Sequence, residues 1–312
     1  MAVATTELRV GVFGAGALGR HHVRILGALP DVRRVGFYEP RREVAEAVAA
    51  EHGARAFGSF EELASQIDAA IVAVPTVSHA ELGCELLGRG VDVLVEKPIA
   101  GSREEAERLI AAAEVGGRVL AVGHVEFHNP AVASLLGAEG APRFVEVERL
   151  GVFSPRSLDV DVVADLMIHD LQILHALDPS GVVEIRGLGI PVLSDRIDIV
   201  SARLAFGSGM VANVTASRVS SEKVRKLRAF YPDRYRSLDY QTQEIKGYRL
   251  DREGAERRIL PESLHVEKAE PLRRELEQFV AACRGRPARN VGAAAALEAL
   301  ETALAVARAA AI

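Results

Sequence analysis

The chain has 312 residues, 49% of them hydrophobic and 26% charged, enough to bury a large core in about two domains and to exclude disorder. Lys plus Arg number 38 against 43 Asp plus Glu, a net charge of −5. That balance offers no basic field for nucleic acid or an anionic membrane, so neither partner is expected.

The opening residues, MAVATTELRV, carry neither the basic nor the apolar region of a signal peptide. No apolar run approaches the roughly 18 residues of a membrane span, and a cytoplasmic protein is expected. Short β-branched runs follow at 8–13, 34–38, 69–74, 91–96 and 118–123, alternating with amphipathic stretches such as 43–53, which ends in Gly53, and 102–117, which opens on a Ser102/Glu105 capping box. This alternation predicts a doubly wound α/β domain with a parallel sheet. Beyond about residue 124 one helical segment at 160–177 precedes strand-like runs at 182–190, 197–206 and 209–219, predicting an α+β domain on a mainly antiparallel open sheet. Helices return at 270–285 and in the alanine-rich stretch 291–311, which reads as packing. Cys84 and Cys283 are far apart, with no CxxC or Cys/His cluster, so neither a disulfide nor a metal site is expected. Trp is absent and aromatics are 5%, so a polar ligand is held by hydrogen bonds and charges rather than by a stacking platform.

The first strand runs into Gly14-Ala15-Gly16-Ala17-Leu18-Gly19 and then a helix, the context in which G-x-G-x-x-G binds a dinucleotide. Gly14 permits the turn, Gly16 admits the pyrophosphate, and Gly19 allows close helix–strand contact, while the helix N-terminus, with Ala17 and Leu18, faces the phosphate charge. Glu39, at the end of the second strand, would accept from the adenosine ribose hydroxyls and favours NAD over NADP. Arg41 and Arg42 beside it could instead pair with a 2′-phosphate. Downstream, Pro75-Thr76 and Glu96-Lys97-Pro98 end strands and His79 opens a helix. Carboxyl ends of strands border the ligand crevice, so Lys97 lies where nicotinamide and substrate would meet, with Pro98 shaping its turn.

The series G-x-G-x-x-G, acid after the second strand, P-T-x-x-H, E-K-P and V-G-H-x-x-x-N-P (122–130) resembles the glucose–fructose oxidoreductase / inositol dehydrogenase / MocA family along essentially the whole chain. The resemblance implies a Rossmann domain at 1–123 and a substrate-binding and oligomerisation domain at 124–312, with C-terminal helices free to pack back on the first. It further implies nicotinamide-dependent oxidation or reduction at a carbon bearing a hydroxyl. Cofactor contacts would fall on the fingerprint, Glu39, Pro75, Thr76, His79, Glu96 and Lys97. Substrate contacts would fall on Lys97, His124, Asn129, Asp165 and His169.

Asp165 and His169 stand four apart in V-V-A-D-L-M-I-H-D-L, and so share one helical face. Members of the family carry an Asp and His at this spacing facing the Lys of E-K-P. His169 would be the general base, Lys97 would stabilise the oxygen's developing charge, and Asp165 would orient the site. Which of Lys97 and His169 takes the proton stays open, since the two would titrate as one network. Phe127-His128 stands where many relatives have Arg-Phe, and Gln172 where many have a second acid.

The segment DVVADLMIHDL is most similar to the branch that oxidises the 3-hydroxyl of UDP-linked N-acetylhexosamines, which makes a nucleotide sugar such as UDP-N-acetylglucosamine the expected substrate. Arg156 is assigned to its diphosphate. The alternatives are a dehydrogenase of a free sugar or inositol, and a non-catalytic dinucleotide-binding sensor. A homodimer or homotetramer is expected, formed through an apolar sheet face left uncovered by helices.

Overall fold

A computed structural model describes residues 7–153, 160–252, 257–262 and 264–311. The chain divides into two compact units. The first runs through His124 and takes back Leu272–Leu297, while Val125–Pro271 and the residues from Glu298 form the second.

The first unit runs β1 (Leu8–Phe13), α1 (Gly19–Leu26), β2 (Val32–Tyr38), α2 (Arg42–His52), β3 (Ala56–Phe57), α3 (Phe60–Ala64), β4 (Ala69–Val72), α4 (His79–Gly88), β5 (Asp92–Glu96), α5 (Arg103–Gly116) and β6 (Leu120–Gly123). Its six strands are parallel, in the order β3-β2-β1-β4-β5-β6. Chain order reverses between β1 and β4, where an open α/β sheet leaves a ligand crevice outside its carboxyl ends. Strands β4 and β5 are buried at every position, as strands covered on both faces must be. The punctuation read from the sequence operates as expected. Ser102 Oγ accepts from Glu105 N at 3.2 Å, and Gly53 and Gly117 close α2 and α5 in the left-handed region, φ 54° and 59°. The outer edge of β6 is covered from the far end of the chain, where Val122 N donates to Val291 O at 3.0 Å and Ala121 bridges Gly292.

The second unit contains α6 (Pro130–Leu136), β7 (Phe144–Leu150), α7 (Ile168–Leu177), β8 (Val182–Ile190), β9 (Ile199–Phe206), β10 (Val211–Ser217), β11 (Val224–Phe230), β12 (Arg234–Asp239), β13 (Glu244–Asp251) and β14 (Arg258–Glu262). Two helices follow, α8 (Pro271–Cys283) and α9 (Ala293–Ala310). The eight strands lie in the order β14-β13-β12-β11-β7-β10-β9-β8, antiparallel except for β7 with β10. On one face Val145, Val147, Leu204, Val214 and Leu227 join Leu135, Leu171 and Leu174 in a single core. The alanine-rich tail does pack, with Ala299, Ala303, Val306 and Ala310 in the same core.

The opposite face corrects the expectation of an apolar surface. Its central positions are Glu146, Glu148, Ser201, Arg203, Asn213, Thr215 and Arg228, which line an open groove of about 630 Å³. Arg228 pairs with Glu148 at 3.2 Å, and Arg203 donates to Asn213 at 3.1 Å. Period-two alternation puts charges here because the valines and leucines of the same strands point into the core. Apolar groups flank this centre, in the row Phe144, Phe230 and Tyr235 and on the edge strand β8, where Leu188 and Ile190 are exposed.

Candidate active site

The fingerprint is built as its spacing requires. Gly14 has φ 86°, and a side chain there would meet the Ala73 carbonyl; a side chain at Gly19 would strike the Gly14 carbonyl. At Gly16 a Cβ would meet only the tip of Arg41, at 3.3 Å, so the backbone is open to a ligand on that side. Helix α1 begins with no side-chain cap and no acid in its first turn. A cradle that only glycine can form, beside an uncapped helix N-terminus, fits a dinucleotide pyrophosphate.

Glu39 ends β2 with a buried carboxylate. Oε2 accepts from Ala15 N at 3.0 Å, and Arg41 forks across both oxygens, at 2.7 Å from Nε to Oε1 and 3.0 Å from Nη2 to Oε2. The hydrogen bond from Arg41 holds this carboxyl below its ordinary pKa. Arg41 is itself 64% exposed, so a ribose hydroxyl arriving at Glu39 would share or displace a mobile guanidinium. Glu39→Ala should therefore shift the NAD-to-NADP ratio of dissociation constants toward NADP by about tenfold, one charge-assisted hydrogen bond. Calorimetric titration checks this, and an unchanged NAD affinity would remove Glu39 from the ribose.

Pro75 leads into a 3₁₀ turn at Thr76–Ser78, and α4 follows at once with the buried His79. Its ring nitrogens lie 2.9 Å from the Pro98 and Val74 carbonyls. A neutral imidazole carries one N–H, so His79 donates to one of these two carbonyls and lies against the other, between the Pro75 loop and the Lys97 loop. Burial holds its imidazole below the ordinary pKa, as it does for His175. An unfolded chain takes up these protons near pH 6.5 while the folded one resists, so stability should fall as pH drops below about 6.5. Thermal melts between about pH 7.5 and 5 measure the slope, which should shrink in His79→Gln.

Glu96 also turns inward. Its Oε1 lies 2.7 Å from Nε2 of the fully buried His22, and Oε2 accepts from Lys97 N at 3.2 Å. Burial, reinforced by Glu96, raises the pKa of Glu275 on α8 well above the carboxylate range. Lys97 itself is half-buried at the carboxyl end of β5, and its bond to Pro98 is cis.

In the crossover, His124 is fully buried and Asn129 is 1% exposed. Asn129 caps α6, with Oδ1 accepting from Ala131 N at 3.1 Å and Nδ2 donating to Tyr240 O at 3.0 Å. These bonds tie it into the fold, and Pro130 at the first helical position completes the cap. Asp165 and His169 do occupy one helical segment, but not a uniform one. Val163–Met167 is a π turn, closed by i→i+5 bonds, and the α-helix begins only at Ile168. Asp165 is half-buried on the π turn, and His169 lies in the first α turn, 9% exposed. Arg156 lies outside the described residues.

The sequence reading missed the groups around Asp170. Arg149 of β7, 2% exposed, donates to Asp170 from Nε at 2.6 Å and Nη2 at 2.8 Å, and to Glu126 from Nη1 at 2.9 Å. Tyr240 Oη donates to Asp170 at 3.1 Å. Burial pulls the guanidinium down, but the two carboxylates outweigh it and hold Arg149 well above its ordinary pKa. The signal was present in FVEVERL, where Val145, Val147 and Arg149 share the buried parity, because an inward arginine demands a carboxylate partner.

Residues 8–124 match the GFO/IDH/MocA family, an oxidoreductase family with a NAD-binding Rossmann fold. The whole chain is similar to the UDP-N-acetylglucosamine 3-dehydrogenase of Acidithiobacillus ferrooxidans, 37% identical over 303 residues that cover 93% of this chain and 95% of that one. The chain belongs to the GFO/IDH/MocA oxidoreductase family. A solved structure of the Acidithiobacillus enzyme superposes with a TM-score of 0.89, covering 97% of each chain. Within the family, the inositol 2-dehydrogenase 2 of Paenarthrobacter aurescens is 31% identical over 57% of this chain and 58% of its own. Membership accounts for the fingerprint cradle and makes residues 8–124 a NAD-binding Rossmann fold.

Proposed function

We propose that this protein is a dehydrogenase that oxidises the 3-hydroxyl of UDP-N-acetylglucosamine to a ketone, with NAD as the acceptor. The observation that carries this reading is end-to-end similarity to the Acidithiobacillus enzyme, from the fingerprint through the second sheet. The chain to about residue 123 would hold the cofactor and the chain from 124 the substrate. Gly14, Gly16 and Gly19 would admit the pyrophosphate, and Glu39 the ribose. Bound NAD supplies a hydride acceptor at its nicotinamide C4. Lys97 would hydrogen-bond the reacting oxygen and stabilise its charge as the hydroxyl proton passes to His169 and the carbon-bound hydrogen leaves as hydride. Asp165, one π turn before His169, would hold a neighbouring hydroxyl.

The test is a panel of UDP-hexosamines, free hexoses and inositols with NAD, under a carbonyl trap that draws the oxidation forward. NADH formation from UDP-N-acetylglucosamine is expected. Turnover of an inositol or free sugar with none of any nucleotide sugar would overturn the substrate and keep the dehydrogenase. The protein is further expected to form a two-fold homodimer or a tetramer. Along the sheet's outer face the acids Glu146 and Glu148 and the bases Arg203 and Arg228 can complement a second copy, and light scattering at micromolar concentration reads the mass.

A further inference from the structure

Helix α7 is buried nearly all round, with the polar His169, Asp170, Gln172 and His175 interleaved among its apolar residues. Ile168, Leu171, Ile173 and Leu174 are fully buried and lie on different sides of it. Burial of such a helix is favourable in many rotations about its axis, because no single stripe is the apolar one. The π turn at Val163–Met167 also interrupts the regular ladder immediately before α7, so the preceding turn does not extend an α-helical register into it. Something else must set the direction in which His169 points.

Asp170 lies next to His169, about 100° further round the helix. It is fully buried, and Arg149 grips both its oxygens in a fork. A bidentate guanidinium–carboxylate pair fixes an angle as well as a distance, which a point charge does not. The fork is held from behind, since Arg149 sits on the central strand β7 and its remaining arm reaches Glu126, which also accepts from Arg225 at 3.3 Å. Arg225 of β11 stands directly opposite Arg149 in the sheet register. Two guanidiniums thus meet two carboxylates, and the cluster is neutral where it is buried.

We infer that Arg149 is a positioning residue for the proton transfer: through Asp170 it sets the rotation of α7 and so aims His169. The inference rests on the assignment of His169 proposed above. Arg149→Lys keeps the charge and removes the fork, Tyr240→Phe removes one donor to Asp170 and keeps the fork, and Arg236→Lys serves as the control. Arg236 is a comparably buried arginine on β12, paired with Glu262 at 2.9 Å.

With UDP-N-acetylglucosamine and saturating NAD, Arg149→Lys should lower kcat about tenfold or more at a nearly unchanged KM and NAD affinity, the scale of a misaimed catalytic group. Tyr240→Phe should lower kcat about threefold, again at unchanged KM. Arg236→Lys should lower the melting temperature and leave kcat as in the wild type. Wild-type kcat in Arg149→Lys, or a loss in Arg236→Lys as large as in Arg149→Lys, overturns the inference. Should Arg149→Lys fail to fold, wild-type kcat in Tyr240→Phe overturns it. The two readings fail separately. Wild-type turnover in His169→Ala overturns the assignment of His169, whereas loss of turnover there with none in Arg149→Lys overturns the positioning alone.

Discussion

Replacing His169 with Ala is expected to lower turnover about a hundredfold or more, and Lys97→Ala to do the same, the usual scale for losing a positioned acid/base or a charge stabiliser. The two should differ in pH dependence. Without His169 the limb of the rate profile that reports its imidazole should vanish. Without Lys97 that limb should persist on a lowered rate. Neither change touches the fingerprint cradle, so calorimetry should find NAD affinity close to wild type. Turnover near wild type in either variant would remove that residue from the chemistry.

Arg149→Met is expected to destabilise the protein by about 3–5 kcal/mol, because it strands Asp170 as a buried carboxylate without its cation and leaves Glu126 to Arg225 alone. The size comes from the partner left behind rather than from the pair itself, since a well-packed apolar replacement of both partners can be neutral or stabilising. Urea denaturation of Arg149→Met beside the combined Arg149→Met and Asp170→Leu variant, in which Glu126 keeps Arg225, separates the two ideas. The single change should lower the midpoint, and the double change should recover much of it. A single variant within about 1 kcal/mol of wild type would show that water reaches the stranded charge.

The parallel half was legible because its strands are short β-branched runs between clear helix stops, each signalled within a few residues. Only β3 and α3 escaped, being two and five residues long. The second sheet was harder to read. Strands β11 to β13 carry so many charges that only Leu227, Ala229, Leu238 and Ile245 mark the inward parity, while Arg236 and Arg149 stand at inward positions as well. The charged centre of the outer face was not foreseen, since helices covering only one side of a sheet do not say which parity its apolar residues occupy. At the site, the residues that the sequence offers as candidates are those that sit in a local motif, namely the glycines, Glu39, Lys97 and the Asp165/His169 pair. Those whose work depends on distant partners are not among them. The cap that Asn129 places on α6 was not read from the motif, and Arg149 meets Asp170 across 21 residues.

The strip at Val291–Gly292 that covers β6 also bears on how the polypeptide emerges from a ribosome. Domains ordinarily fold in the order they are synthesised. Here the first unit cannot be completed in that order, because Leu272–Leu297 belongs to it and is made after nearly all of the second. Until then the nascent first unit carries an unpaired edge strand and lacks Leu276 and Phe279, both fully buried in the finished fold. The second unit waits in turn for α9, whose Ala299, Ala303 and Val306 complete its core. Both halves therefore close only once the segment beyond residue 270 has been made, and a chain stalled near residue 270 presents two unfinished surfaces to the chaperones that meet it.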